Sequence, residues 1–324
     1  METKQKKRLL WQLPFLVLLV VGTVLIIRQQ RSMPYQHDMG SVFGTVYKIT
    51  YQYDQNLKEQ IEDELQKVDN ELSMFNQAST VARLNRGEQG VERSAMFNEV
   101  YKLAQMVNRE SDGAFDVTVA PLVNAWGFGF KNDQMPTPQQ VDSLKKIRNQ
   151  MDFSAIAKGF ASDVVARLLE SKGIANYMVE IGGEIVTRGV NETRLPWKVG
   201  VVRPTDDMLS ANSELQTVLN VTDIAMATSG NYRNYYYKDG KKYAHTIDPK
   251  TGYPVQHSLL SATVLTKECA VADAYATSFM VMGVDKAKEL LARHPELAAY
   301  LIYSDEEGHP VVWYSDAVKD LIVE

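Results

Sequence analysis

The chain has 324 residues, 45% of them hydrophobic and 23% charged, with a formal net charge of −5. That supplies enough apolar surface for one large core or two moderate ones, and no excess of cations to hold nucleic acid. Its one cysteine, Cys269, excludes an intramolecular disulfide and a cysteine-built zinc site, and reads as a small buried residue on a helix.

The N-terminus differs in kind from the rest. Lys4, Lys6, Lys7 and Arg8 form a basic cluster in residues 1–8, followed by a mostly aliphatic run at 9–27. About nineteen such residues match the thickness of a bilayer core, and the basic cluster predicts a cytoplasmic N-terminus. A cleaved signal peptide is the alternative, but no small-x-small cleavage site follows Ile27, and no cysteine offers a lipid attachment point. The reading is therefore a transmembrane anchor at 9–27, a polar tether at 28–38 and a folded domain over 39–324.

Within that domain, residues 41–53 alternate with the two-residue period of a half-buried strand. Leu57, Ile61, Leu65, Val68 and Leu72 then recur at helical spacing. A second helix spans about 94–109, with Val100, Leu103, Ala104 and Val107 facing in, and stops at Ser111-Asp112-Gly113. Thr137-Pro138 predicts a short helix by its cap and first-turn proline, and 157–172 predicts another, ended by Gly173. Residues 178–181 and 185–188 read as strands joined by a turn at Gly182-Gly183. Further strands are expected at about 197–202, 215–221, 242–247 and 259–266, helices at 268–282 and 286–293, and strands near Tyr300 and Val312. Strands and helices come in groups rather than in strict alternation, so the fold class is α+β rather than a doubly wound sheet.

Four stretches carry chemistry. Asp273 and Thr277 lie four residues apart in an alanine-rich run, which puts both oxygens on one helix face, able to meet a hard cation such as Mg²⁺. The plainer alternative is a polar face residue beside a threonine bonded back to its own helix. Asp152 to Gly159 enters the helix at 157–172, whose first-turn amides make a phosphate seat with Lys158 as a point charge and Gly159 allowing close approach; an ordinary helix start capped by Asp152 or Ser154 is the competing reading. Asp112-Gly113-Ala114-Phe115-Asp116, followed by Trp126-Gly127-Phe128-Gly129, could wrap a flat ring system, although core packing explains the aromatics equally well. His245, at the lip of a turn with Asp248 three positions on, titrates near neutrality and could take a proton from a hydroxyl nucleophile. The tyrosine-rich stretch 232–237 reads mainly as strand and core, and Gly182-Gly183-Glu184 as a hairpin turn.

Taken together these blocks resemble the ApbE family of flavin transferases, from about Met39 to the C-terminus. The segments that carry the likeness are Met39-Gly40-Ser41, Asp112 to Asp116 with Pro121-Leu122-Val123, Asp152 to Gly159, Ile181 to Glu184, Thr228-Ser229-Gly230, His245 to Pro249 and Asp273 to Thr277. The resemblance implies a two-part α+β fold with FAD between its halves. It implies FAD contacts at Met39, Phe75, Ala114, Phe115, Asp116, Asp152, Lys158 and Ile247, several through the backbone. It implies Mg²⁺ held by the Ala155 carbonyl, Asp273 and Thr277, with His245 and Asp273 as the catalytic pair. Two departures stand out: Ala276 occupies a place where some members carry a second acid, and Phe75 one where many carry tyrosine.

The implied reaction is Mg²⁺-dependent transfer of FMN from FAD to a Ser/Thr hydroxyl of an acceptor flavoprotein, with release of AMP. Redox-pump subunits and exported FMN-binding domains bearing a short Ser/Thr motif are the implied acceptors. The implied location is the bacterial inner membrane, single-pass, with the catalytic domain on the periplasmic side. A Mg²⁺-dependent FAD pyrophosphatase would use the same residues, and a non-catalytic FAD-binding protein is the third possibility.

Overall fold

The structure, a computed structural model, describes residues 14–28, 33–130, 134–204, 214–231, 235–238 and 241–323. Helix α1, residues 14–28, carries the apolar run with its side chains open to solvent: Phe15 is 71% and Leu18 73% exposed. The basic cluster, the start of the expected anchor and residues 29–32 of the tether lie outside the described residues. Among the described residues no helix is long and apolar enough to cross a membrane. The tether is shorter than expected, because strand β1 (Tyr35–Val42) begins inside it.

The alternation at 41–53 belongs to a hairpin rather than to one strand. β1 turns through Phe43 and Gly44, at φ 51° and 73°, into β2 (Thr45–Gln52), pairing Val42 with Thr45. A two-residue turn with both φ positive matches strand twist and leaves the period of two unbroken, so periodicity cannot reveal it.

The backbone of the fold is one eight-stranded sheet in the order β1-β2-β3-β4-β7-β10-β11-β12, antiparallel at every pairing. β3 (Tyr177–Ile181) and β4 (Glu184–Arg188) form the expected glycine hairpin. β5 (Trp197–Val202) and β6 (Leu215–Val221) form a separate ribbon. β7 (Ile224–Gly230), β10 (Leu259–Thr266), β11 (Ala298–Ser304) and β12 (Pro310–Tyr314) make the second half of the sheet. The two halves meet at β4–β7 over three paired positions, Ile185–Met226, Val186–Ala225 and Thr187–Ile224. β8 (Tyr235–Lys238) and β9 (Lys241–Ala244) pair outside the main sheet. Tyr235 is half-buried, and the core placement expected for Tyr232, Tyr236 and Tyr237 lies outside the described side chains.

Both faces of the sheet are covered, so its central strands are apolar on both sides. On one face lie α2 (Lys58–Leu72), α4 (Ala95–Glu110), α7 (Ala157–Ser171) and α8 (Cys269–Met282). They bury Ile61, Leu65, Val100, Val165 and Phe279 against Val179, Ala227 and Val264. On the other face the β5–β6 ribbon sets Trp197, Val199 and Leu219 against Met226, Leu265 and Ile302. Val264 and Leu265 thus enter opposite cores, as neighbouring residues of a strand must.

Shorter helices complete the chain: α3 (Thr80–Asn85), α5 (Ala120–Ala125), α6 (Pro138–Leu144), α9 (Val284–Leu291) and α10 (Asp316–Lys319). α6 starts on the expected cap, elaborated into a reciprocal pair of bonds between Thr137 and Gln140, an arrangement worth about 1 kcal/mol. α3, α5, α10 and β7 had no counterpart in the sequence reading; the three helices are too short to show a period.

Candidate active site

α7 and α8 cross closely, and the crossing is locked from both sides. Asp163, in α7, accepts the first amides of α8 with both oxygens, Cys269 N and Ala270 N, each at 2.8 Å. Asp273, one turn into α8, accepts the Gly159 amide near the start of α7 at 3.1 Å. Each helix therefore caps the other's N-terminus, where unsatisfied amides and the helix dipole favour a carboxylate. Gly159 is what lets them approach: a β-carbon there would lie 2.3 Å from the Cys269 carbonyl oxygen. The glycine serves helix packing, not the approach of a ligand. Asp152 and Ser154 do not cap α7 by side chain; Asp152 instead accepts Ser154 N at 2.8 Å in a local turn.

The crossing forms the floor of a cavity of about 940 Å³. There Lys158 Nζ bonds Glu184 Oε1 at 2.9 Å and lies 3.8 Å from Asp273 Oδ2. Burial pulls the Lys158 pKa down, but the Asp273 and Glu184 carboxylates outweigh it and hold it above the ordinary lysine value. Burial pushes Asp273 and Glu184 upward, Lys158 opposing both. Thr277 lines the same floor and shares a hydrogen bond with Ser229 of β7 at 3.2 Å. It does not bond back to its own helix, a role taken next door by Ser278 with Ala274 O at 2.8 Å.

Ala155 also lines the cavity, so the expected oxygen set of Ala155, Asp273 and Thr277 is gathered in one place. Among the described residues no group of three or more His, Cys, Asp or Glu side chains is placed to hold a metal. A cation here would rest on few protein oxygens and on substrate phosphates, the arrangement Mg²⁺ favours. One buried oxygen supports the fit: Glu184 is 3% exposed, yet its Oε2 has no hydrogen-bond partner.

The walls hold most of the other expected contacts. Phe75, Ala114, Phe115, Asp116, Asp152, Lys158, His245 and Ile247 all line the cavity. Phe75 is 59% exposed and meets Phe130 edge-on, ring centroids 5.7 Å apart. The Phe115 ring is buried in the core, which leaves its backbone to face a ligand. Asp116 is already engaged: its Oδ1 accepts Thr118 N and Oγ1, and its Oδ2 pairs with Arg148 at 2.5 Å. Met39 stands apart, 58% exposed on edge strand β1 and outside the lining; the β1–β2 turn, Phe43 and Gly44, reaches the cavity in its place.

His245 sits where β9 enters the turn, beside the ring of Phe128, centroids 6.5 Å apart. Trp126 braces this loop by donating Nε1 to Gly252 O at 2.8 Å and stacking on Tyr243. Trp126 is thus core and Phe128 cavity wall. Asp248 turns into its own loop to accept Lys250 N at 2.8 Å and lies outside the lining. Sequence reasoning placed Glu184 and Ser229 in segments that carry the family likeness but gave neither a role in the site: the glycine turn concealed the first, and the second lies on a strand it did not predict.

An antiparallel sheet backed by helices, with a cavity holding an acid–lysine cluster, a threonine and a histidine, is the architecture of an α+β enzyme. The chain belongs to the ApbE family, whose model matches residues 43–301. It is 37% identical over 316 residues to the FAD:protein FMN transferase of Haemophilus influenzae, covering 87% of this chain and 90% of that protein. It is 36% identical over 300 residues to the protein of the same name from Vibrio cholerae, covering 84% and 88%. Among solved structures, the flavin transferase ApbE from Vibrio cholerae superposes with a TM-score of 0.79 at 33% identity, covering 89% of this chain and 99% of that one.

Proposed function

We propose that this protein transfers FMN from FAD to a Ser/Thr hydroxyl of an acceptor flavoprotein, with Mg²⁺ as cofactor. The observation that carries the reading is the meeting of Asp273, Thr277, Lys158 and His245 in one cavity of a chain whose relatives bear the name FAD:protein FMN transferase. Mere flavin storage would need neither a cation site nor a base.

FAD is the substrate, and the exposed ring of Phe75, braced edge-on by Phe130, offers an aromatic face in the cavity wall for its flat isoalloxazine. Asp273, Thr277 and the Ala155 carbonyl would hold Mg²⁺, which when bound supplies positive charge against the pyrophosphate as AMP departs. The acceptor oxygen forms a bond to the FMN phosphorus while the bond from that phosphorus to the AMP oxygen breaks. His245 takes the hydroxyl proton, and Lys158 places a fixed positive charge near the leaving phosphate. The acceptors are redox-pump subunits or exported FMN-binding domains with a Ser/Thr motif.

Residues 9–27 act as a single-pass anchor in the bacterial inner membrane, with the domain on the periplasmic side. The exposed apolar side chains of α1 support this, and recovery of the full chain in the soluble fraction would overturn it. The reaction is tested by incubating the protein with FAD, Mg²⁺ and an acceptor domain. A gain in acceptor mass equal to FMN is expected; free FMN and AMP with an unlabelled acceptor would make the enzyme a pyrophosphatase.

A further inference from the structure

Glu184 is a charged residue of the cavity floor that the reaction above does not use. It begins β4 immediately after the Gly182-Gly183 turn, φ 65° and 104°, which brings its side chain back over the start of α7. Its carboxylate is divided in function: Oε1 holds Lys158 Nζ at 2.9 Å, and Oε2 has no partner although the residue is 3% exposed. A carboxylate accepts at about four lone-pair sites, and a buried oxygen left without any partner is costly, so such an atom calls for a ligand. The same ammonium reaches Asp273 Oδ2 at 3.8 Å, so one lysine stands between two buried acids that both line the cavity. With all three groups charged the cluster carries one uncompensated negative charge before a ligand arrives. Ala276 adds no acid to α8.

We infer that Glu184 is the second carboxylate of the divalent-cation site, offering Oε2 to the ion or to one of the waters Mg²⁺ retains, while Lys158 occupies both acids as a monovalent substitute until the ion arrives. This rests on the reading of Asp273 and Thr277 as cation ligands. In it, Lys158 competes with the metal for the two acids and is freed by it to face the anionic substrate. Glu184 thereby sets cation affinity, and Lys158 opposes it.

The test is titration of the purified full chain with Mn²⁺ alone, followed by the loss of free Mn²⁺ signal in electron paramagnetic resonance. Wild type should take up Mn²⁺, and Asp273→Asn should not. Glu184→Gln, isosteric and without charge, should weaken uptake by roughly 10–100-fold, and Lys158→Met should tighten it. Should Glu184→Gln not fold, as read by its melting curve, Lys158→Met carries the decision alone. Loss of uptake in Asp273→Asn with wild-type uptake in Glu184→Gln, or weaker uptake in Lys158→Met, overturns the inference and leaves the Asp273 site standing. A wild type without uptake, or Asp273→Asn with unchanged uptake, overturns the cation site itself.

Discussion

The floor and the rim of the cavity are built on opposite principles. The floor comes from α7, α8 and the β3–β4 hairpin, and its charged groups are buried or half-buried and held by one another and by backbone: Asp273 by the Gly159 amide, Lys158 by Glu184, with Asp163 locking the helix crossing beneath. The rim comes from turns, the Phe75 and Phe130 segments and the His245 loop, and its side chains are part-exposed and held by ring contacts. Charge that must stay in register with a phosphate sits on rigid elements; groups that must admit a flavin and then a protein hydroxyl sit on loops.

Substitutions should divide along that line. Asp273→Ala removes a floor ligand and an α7 cap together, and should abolish transfer of FMN to an acceptor, measured by intact mass. His245→Ala, on the rim, should slow the chemical step by roughly two to four powers of ten, the usual worth of a general base, with the melting temperature unchanged. Gly159→Ala should cost stability rather than one chemical role, about 1–3 kcal/mol for overpacking, because the new methyl meets the backbone carbonyl of Cys269; denaturant unfolding measures it. Phe75→Ala should raise the KM for FAD by roughly three- to tenfold through the lost ring contact, and Phe75→Tyr should leave it near wild type. If floor and rim substitutions affected KM and kcat alike, the distinction would fail.

A further expected effect is one of pH. Burial pushes Asp163 from 3.8 to about 7, with its bonds to Ala270 N and Cys269 N opposing the shift. Between those values the folded protein keeps a proton that the unfolded chain has released, so this residue makes stability fall as pH rises through the window and level off above it. Asp163→Asn should flatten that slope in melting curves taken from pH 4 to pH 7.

The sequence made the long elements legible. α2, α4, α7 and α8 declare themselves by apolar spacing, and α6 by its cap. What stayed hidden has physical causes. The β1–β2 turn preserves the alternation it interrupts. β7, with Ala225, Ala227, Thr228 and Ser229, is built of small residues because α8 packs directly over it, and small residues carry little strand signal. Gly159 could be read as permitting contact, but only the crossing says with what. Glu184 looked like the end of a turn because its partners come from elements 26 residues upstream and 89 downstream, Lys158 and Asp273. Asp273, Thr277 and His245, by contrast, could be singled out because each stands out chemically from its immediate neighbours.

The strand that follows the tether also sets a distance. β1 starts at Tyr35 and hands over at Phe43 to the cavity wall, so its eight residues, at roughly 3.3 Å each, run about 26 Å from the chain's point of entry to the reaction chamber.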